Sequence, residues 1–173
     1  MSEQILERCR RFIAALAHMR KLQLQVIKAD EKSVTVVLPV QDQLVSPAFD
    51  TYMHGGVLTT LVDTASSLST IPALKEYELC PTLDLRIDHM STPVISQPLY
   101  AYAECYRVTR NVLFTRATVY QESPGKPVAY AISTFMRPGA GNTNAAFKAM
   151  IDGVDRETSS QLSLKQIEAG RVS

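Results

Sequence analysis

Along the first part of the chain, Ile5, Leu6, Cys9, Phe12, Ile13, Leu16 and Ala17 recur at intervals of three and four, with Glu and Arg between them. That spacing predicts an amphipathic helix over 3–19, with Ser2 as its N-cap. The period then changes to two. Leu22, Leu24 and Val26 alternate with polar residues, 28–33 turns the chain, and the β-branched run 34–40 stops near Pro39, so a β-hairpin is predicted. Residues 41–53, with Pro47 inside them, read as a loop. From Gly55 to Ile71 the helical period returns. Val57, Leu58, Leu61, Val62, Ala65 and Leu68 form one stripe, and Pro72 is expected to end the helix. Strands are then predicted over 82–90, 98–109, 112–121 and 127–137, broken at Ser91-Thr92-Pro93, Arg110-Asn111 and Ser123-Pro124-Gly125. Consecutive strands with short turns favour an antiparallel sheet, giving an α+β domain over 1–138. Gly139, Gly141, Asn142 and Asn144 mark a joint, and 139–173 reads as a C-terminal extension with short helices at 144–151 and 156–169.

Composition narrows the function classes. A length of 173 residues suits one core, and a formal net charge of +1 gives no overall field to draw in nucleic acid or an anionic membrane. An anionic ligand would have to be held by a local cluster of cations. Cys9, Cys80 and Cys105 are odd in number with no CxxC spacing, which argues against a disulfide framework or a metal site. No run approaches the ~18–20 apolar residues that span a bilayer, and the charged start lacks a signal core, so a cytoplasmic protein is expected.

The chemistry concentrates at the central helix. Its polar side carries Thr59, Thr60, Ser66, Ser67 and Thr70 where Lys and Glu are usual, and Asp63 is the one charged residue between Gly55 and Ile71. An acid among small hydroxyls is costly unless hydrogen-bonded or used. It could serve structurally, accepting from Ser and Thr, or catalytically. His54-Gly55-Gly56 stands directly before the helix, whose first N–H groups have no internal partners and can meet a developing oxyanion. By alternation, Leu83, Leu85 and Ile87 share one face of the next strand, and Thr82, Asp84, Arg86 and Asp88 the other.

Together MHGGVLTTLVDTASS and PTLDLRIDHMSTP resemble the PaaI-type acyl-CoA thioesterases, over about Leu22 to Pro138. The resemblance implies the hotdog fold, an antiparallel sheet of about six strands wrapped around a central helix, here with an extra N-terminal helix and a C-terminal tail. It also implies homodimers, often paired into tetramers, with active sites at the dimer interface. Asp63 matches the family's base or nucleophile, and Gly55 the residue whose N–H polarises the thioester carbonyl. Thr82 matches an orienting hydroxyl and His54 a supporting group. One position departs: where the family often has Asn, about six residues before the HGG histidine, this chain has Ala48, with Asp50 the nearest polar residue.

The reaction so implied is hydrolysis of an acyl-CoA, with CoA as part of the substrate and no cofactor. Its thiolate leaving group, of thiol pKa ~8.5, needs little acid help, and the chain lacks a GxSxG elbow. Gly56, Arg107, Arg110, Asn111 and Arg137 are the candidates for substrate and CoA binding, and Phe49 and Tyr52 for the acyl pocket. Two alternatives stand beside this reading. One is a non-catalytic acyl-CoA-binding hotdog protein. The other is a hotdog enoyl-thioester hydratase or dehydratase.

Overall fold

The computed structural model describes residues 2–46 and 49–153. Helix α1 spans Ser2–Ala15 and α2 Ala17–Lys21, followed by strands β1 (Gln25–Ala29) and β2 (Ser33–Leu38). A short two-stranded unit, β3 (Val45–Ser46) and β4 (Phe49–Met53), precedes the central helix α3 (Gly55–Leu68) and the one-turn α4 (Thr70–Ala73). Then come β5 (Thr82–His89), β6 (Leu99–Val108), β7 (Val112–Tyr120), β8 (Pro127–Met136) and α5 (Ala145–Asp152). Six strands form one antiparallel sheet in the order β1-β2-β6-β7-β8-β5. Among the described residues β5 is therefore an edge of the sheet, although it is the first of its strands after α3 and α4.

The sheet wraps α3 because its inner face is built to admit a helix. Ala103, Ala117 and Ala131 sit side by side on β6, β7 and β8, with Ala101 and Ala129 beside them. These small side chains leave a trough that receives Leu58, Leu61, Val62, Ala65 and Leu68, all of them 1% exposed or less. At ~1.5–3 kcal/mol for each large apolar side chain removed from water, that stripe contributes on the order of 10 kcal/mol and fixes the rotation of α3. With the stripe inward, Thr59, Thr60, Asp63 and Ser67 turn away from the core. Helix α1 covers β1 and meets α5, where Phe12 packs edge-on against Phe147 at 6.0 Å.

Several boundaries differ from the expectation. The N-terminal helix breaks at Leu16, which takes an extended conformation, and resumes as α2. Gln23 then adopts a left-handed φ of 53°, so the first strand begins at Gln25 rather than Leu22. The segment expected as a loop, 41–53, contains a 3-10 turn and the β3–β4 pair. The central helix stops at Leu68, and Pro72 lies inside α4 instead of terminating α3. In a helix of one turn, proline's missing N–H costs nothing because first-turn N–H groups have no intrahelical acceptor. Ser66, expected on the polar side, is fully buried toward the core. The short helix predicted at 144–151 is α5, and the one at 156–169 lies outside the described residues. Among the described residues no helix is long and apolar enough to cross a membrane.

Candidate active site

The start of α3 is held from three directions. His54 N–H donates to Leu44 O at 3.0 Å, Met53 N–H to Pro93 O at 3.0 Å, and Ile95 N–H to Thr51 O at 3.0 Å. The HGG segment is thus clamped between the 3-10 turn before it and the chain leaving β5. His54 is the N-cap: its Nδ1 accepts the Gly56 N–H at 3.1 Å. That bond requires Nδ1 to be unprotonated and places any ring proton on Nε2. It also commits the Gly56 N–H. The absence of a side chain at Gly56 has a local reason, because a Cβ there would sit 3.1 Å from His54 Nδ1. Gly55 has no such reason. A Cβ at Gly55 would meet nothing within 4 Å, and its backbone is not in the left-handed region. Its N–H is a first-turn donor left unpaired by the helix.

Beside Gly55 lies an open depression of about 320 Å³, walled by Met53, Leu58, His89, Met90 and the 91–93 turn. Of the two residues expected to form an acyl pocket, Tyr52 is joined to Val94 by a β-bridge, and Phe49 opens β4. Ala48 lies outside the described residues.

Asp63 stands two turns further along α3, half-buried, and accepts a hydrogen bond from Thr82 Oγ1 at 2.9 Å on Oδ1. The helix hydroxyls do not serve it. Thr59, Thr60 and Thr64 each donate to the carbonyl four residues back, and Ser69 and Thr70 to the carbonyl three back. Strict alternation had grouped Thr82 with Asp84, Arg86 and Asp88, facing away from the helix. The register corrects this. Thr82 pairs with Phe135 and Asp84 with Thr134, so Leu83 is an extra residue, a β-bulge. Directly paired residues share a face, and Phe135 is buried. The bulge therefore returns Thr82 to the helix-facing side with Leu85, Ile87 and His89, while Asp84, Arg86 and Asp88 stay outside.

The other candidates gather at one end of the sheet. Val108, Leu113, Phe135 and Thr82 are successive partners across β6, β7, β8 and β5. Arg107, Arg110, Asn111 and Arg137 accordingly share the Thr82 end. Arg107 and Arg110 are exposed and make no ion pair among the described residues. Arg137 is committed elsewhere. Its Nε and Nη2 reach Glu78 Oε1 at 3.0 and 2.9 Å, its Nη1 reaches Thr109 O, and Glu78 Oε2 accepts the Gly139 N–H at 2.9 Å. Sequence reading missed Glu78, whose partner lies 59 residues away and leaves no local signal.

Residues 51–128 match the sequence profile of the Thioesterase superfamily. The crystal structure of a protein from Pseudomonas aeruginosa is 48% identical, with a TM-score of 0.71 over 77% of this chain and 98% of that one. PaaI of E. coli, from the phenylacetic acid degradation operon, superposes with a TM-score of 0.70 at 20% identity, over 80% of this chain and 96% of that one. Thioesterase superfamily member 2 of Mus musculus gives 0.64 at 18% identity, over 76% and 96%. The likeness to these last two is one of fold. No curated protein matches the chain.

Proposed function

Because the chain belongs to the thioesterase superfamily and has its hotdog fold, we propose that it hydrolyses an acyl-CoA to the free acid and CoA, with Asp63 as general base or nucleophile. The observation that carries this reading is the Thr82–Asp63 hydrogen bond, which orients a lone carboxylate at the middle of a helix. Thr82 occupies Oδ1 and leaves Oδ2 to face a water or the thioester carbon. The Gly55 N–H receives the carbonyl oxygen and stabilises the oxyanion, and Gly55 lacks a side chain where nothing among the described residues requires that. Collapse of the tetrahedral intermediate expels the thiolate.

Helix geometry asks for two chains. Asp63 follows Gly55 by eight residues, about 12 Å along the axis at 1.5 Å per residue. One carbonyl cannot touch both groups of the same helix. Strand β5 offers the route, since among the described residues its outer edge carries no strand and its charges alternate. Antiparallel two-fold pairing centred on Leu85 sets Asp84 against Arg86 of the partner subunit, and centring on Ile87 sets Arg86 against Asp88 of the partner subunit. The register between them opposes arginine to arginine and aspartate to aspartate, which is unfavourable. Either attractive register brings Thr82 of the partner subunit beside residues 88–92 of this chain, next to the Gly55 depression. The Asp63 that serves each Gly55 is then the partner's. Arg107, Arg110 and Asn111 lie three strands from Thr82, roughly 14 Å at ~4.8 Å per strand, within reach of the phosphates of CoA.

Thiol release from a panel of acyl-CoAs tests the reading, with Asp63→Ala and Asp63→Asn as controls. Release by the wild type that both variants lose by at least a hundredfold is expected. Equal release by Asp63→Ala would remove Asp63 from the mechanism, binding without turnover would favour an acyl-CoA-binding protein, and loss of enoyl double bonds without thiol release would favour the hydratase.

A further inference from the structure

An open groove of about 530 Å³ runs between the second half of α1, α2 and β1. Among the described residues β1 and β5 are opposite edges of the sheet, so this groove is remote from Thr82 and Asp63. Its floor is apolar: Ile13, Leu24 and Val26 are each no more than 6% exposed. Ile27 adds a wall. Val26 pairs with Val36 and Lys28 with Thr35, so Ile27 is the extra residue of a β-bulge, and it is left 47% exposed. A bulge also blunts an edge strand against pairing with another strand, so a small molecule suits this groove better than a peptide or a second sheet.

Two cations overlook this apolar floor. Arg10, Ala14 and Arg20 line the groove and are exposed. Arg10 and Ala14 are four residues apart on α1, which sets their Cβ atoms ~5–6 Å from each other. Arg20 Nη1 donates to Ala14 O at 2.6 Å, so its guanidinium is held within one turn of Arg10. No carboxylate lines the groove among the described residues. Glu7, one turn before Arg10, is engaged by Arg11 at 3.3 Å, and Arg10 has no ion pair or hydrogen bond among the described residues. Like charges so placed repel until an anion joins them, and the apolar floor beside them favours a hydrocarbon chain. We propose that this groove binds a fatty-acid anion, its carboxylate shared by Arg10 and Arg20 and its alkyl chain laid along Ile13, Leu24, Val26 and Ile27. A carboxylate is a compact anionic head whose two oxygens can each accept from one guanidinium. The volume falls in the ~300–1,000 Å³ range of small-molecule sites.

The test uses the full chain and needs no turnover. Isothermal titration counts the decanoate bound per chain, with acetate, decanol and decyl phosphate as comparisons. Decanoate is expected to bind saturably, and acetate and decanol at least about tenfold more weakly, since each lacks one half of the match. Arg10→Gln with Arg20→Gln should weaken the site about tenfold, as suits loss of two exposed charge contacts. Ala14→Glu sets a carboxylate of the chain itself beside both guanidiniums and should lower the count by one decanoate per chain, while any decanoate held near Asp63 stays bound. All three positions are exposed, so both variants should melt close to wild type. Should Ala14→Glu fail to fold, the arginine pair gives the same readout. No saturable decanoate binding, the same count and affinity in both variants, equal binding of decanol, or tighter binding of decyl phosphate than of decanoate would each overturn the assignment.

Discussion

Replacing Thr82 by Val keeps the branching and volume of the side chain and removes only the hydroxyl that donates to Asp63 at 2.9 Å. A hydrogen bond to a charged group contributes ~1.5–3 kcal/mol net. Thr82 is exposed in the single chain and Asp63 half-buried, so water partly replaces the bond, and ~1.5–2 kcal/mol is the reasonable share. At 1.36 kcal/mol per tenfold, kcat/KM should fall about 10- to 30-fold. The loss should lie in kcat, because Thr82 orients the acid and does not hold CoA. Thr82→Ser should stay within about threefold of wild type, since it keeps a donor at the same position, and the urea midpoint should barely move for either variant. Steady-state thiol release over a range of acyl-CoA, with unfolding measured on the same samples, decides it. Wild-type kcat in a folded Thr82→Val protein would refute the reasoning, as would a Thr82→Ser variant equally impaired.

Glu78 is buried with a side chain 3% exposed, so Arg137→Met should cost ~3 kcal/mol in urea unfolding by stranding its charge, and Glu78→Met in the same chain should recover much of that. Burial pushes the Cys9 and Cys80 thiols up to about 12, so native thiols keep protons that the unfolded chain sheds from ~8.5. Stability should therefore be complete below that pH and decline as pH rises toward 12, a slope that Cys9→Val should flatten in urea titrations at pH 8 and 10. Arg86→Asp would leave three like charges on the outer face of β5 and should shift sedimentation toward the single chain, whereas reversing all three charges, Asp84→Arg, Arg86→Asp and Asp88→Arg, should restore association.

Legibility in the sequence followed the range of the forces. Strands β5 to β8 fall within a residue or so of their expected ends, because period-two alternation and turns such as Arg110-Asn111 are local signals. The stripe of α3 was equally plain, and with it the outward position of Asp63. Ser66 was misplaced because a serine carries no local mark of burial, which depends on elements distant in sequence that pack around α3. The Glu78–Arg137 clamp depends on a partner distant in sequence, and the break at Leu16 on the dihedral angles of one residue. At the site, the HGG segment and Asp63 were readable as types at a spacing. That Thr82 faces Asp63 was not readable, because register depends on β8.

Leu83 has a meaning for how this strand can change over time. Its insertion works like a phase shift in a two-beat rhythm, letting the stretch before it answer to the helix while the stretch after it presents charges to the outside. Removing Leu83 would join Thr82 directly to Asp84 and leave the hydroxyl on the helix side, whereas removing Leu85 with the bulge retained would swing Thr82 away from the acid. Two neighbouring single-residue deletions, alike on paper, would thus have opposite consequences for the chemistry.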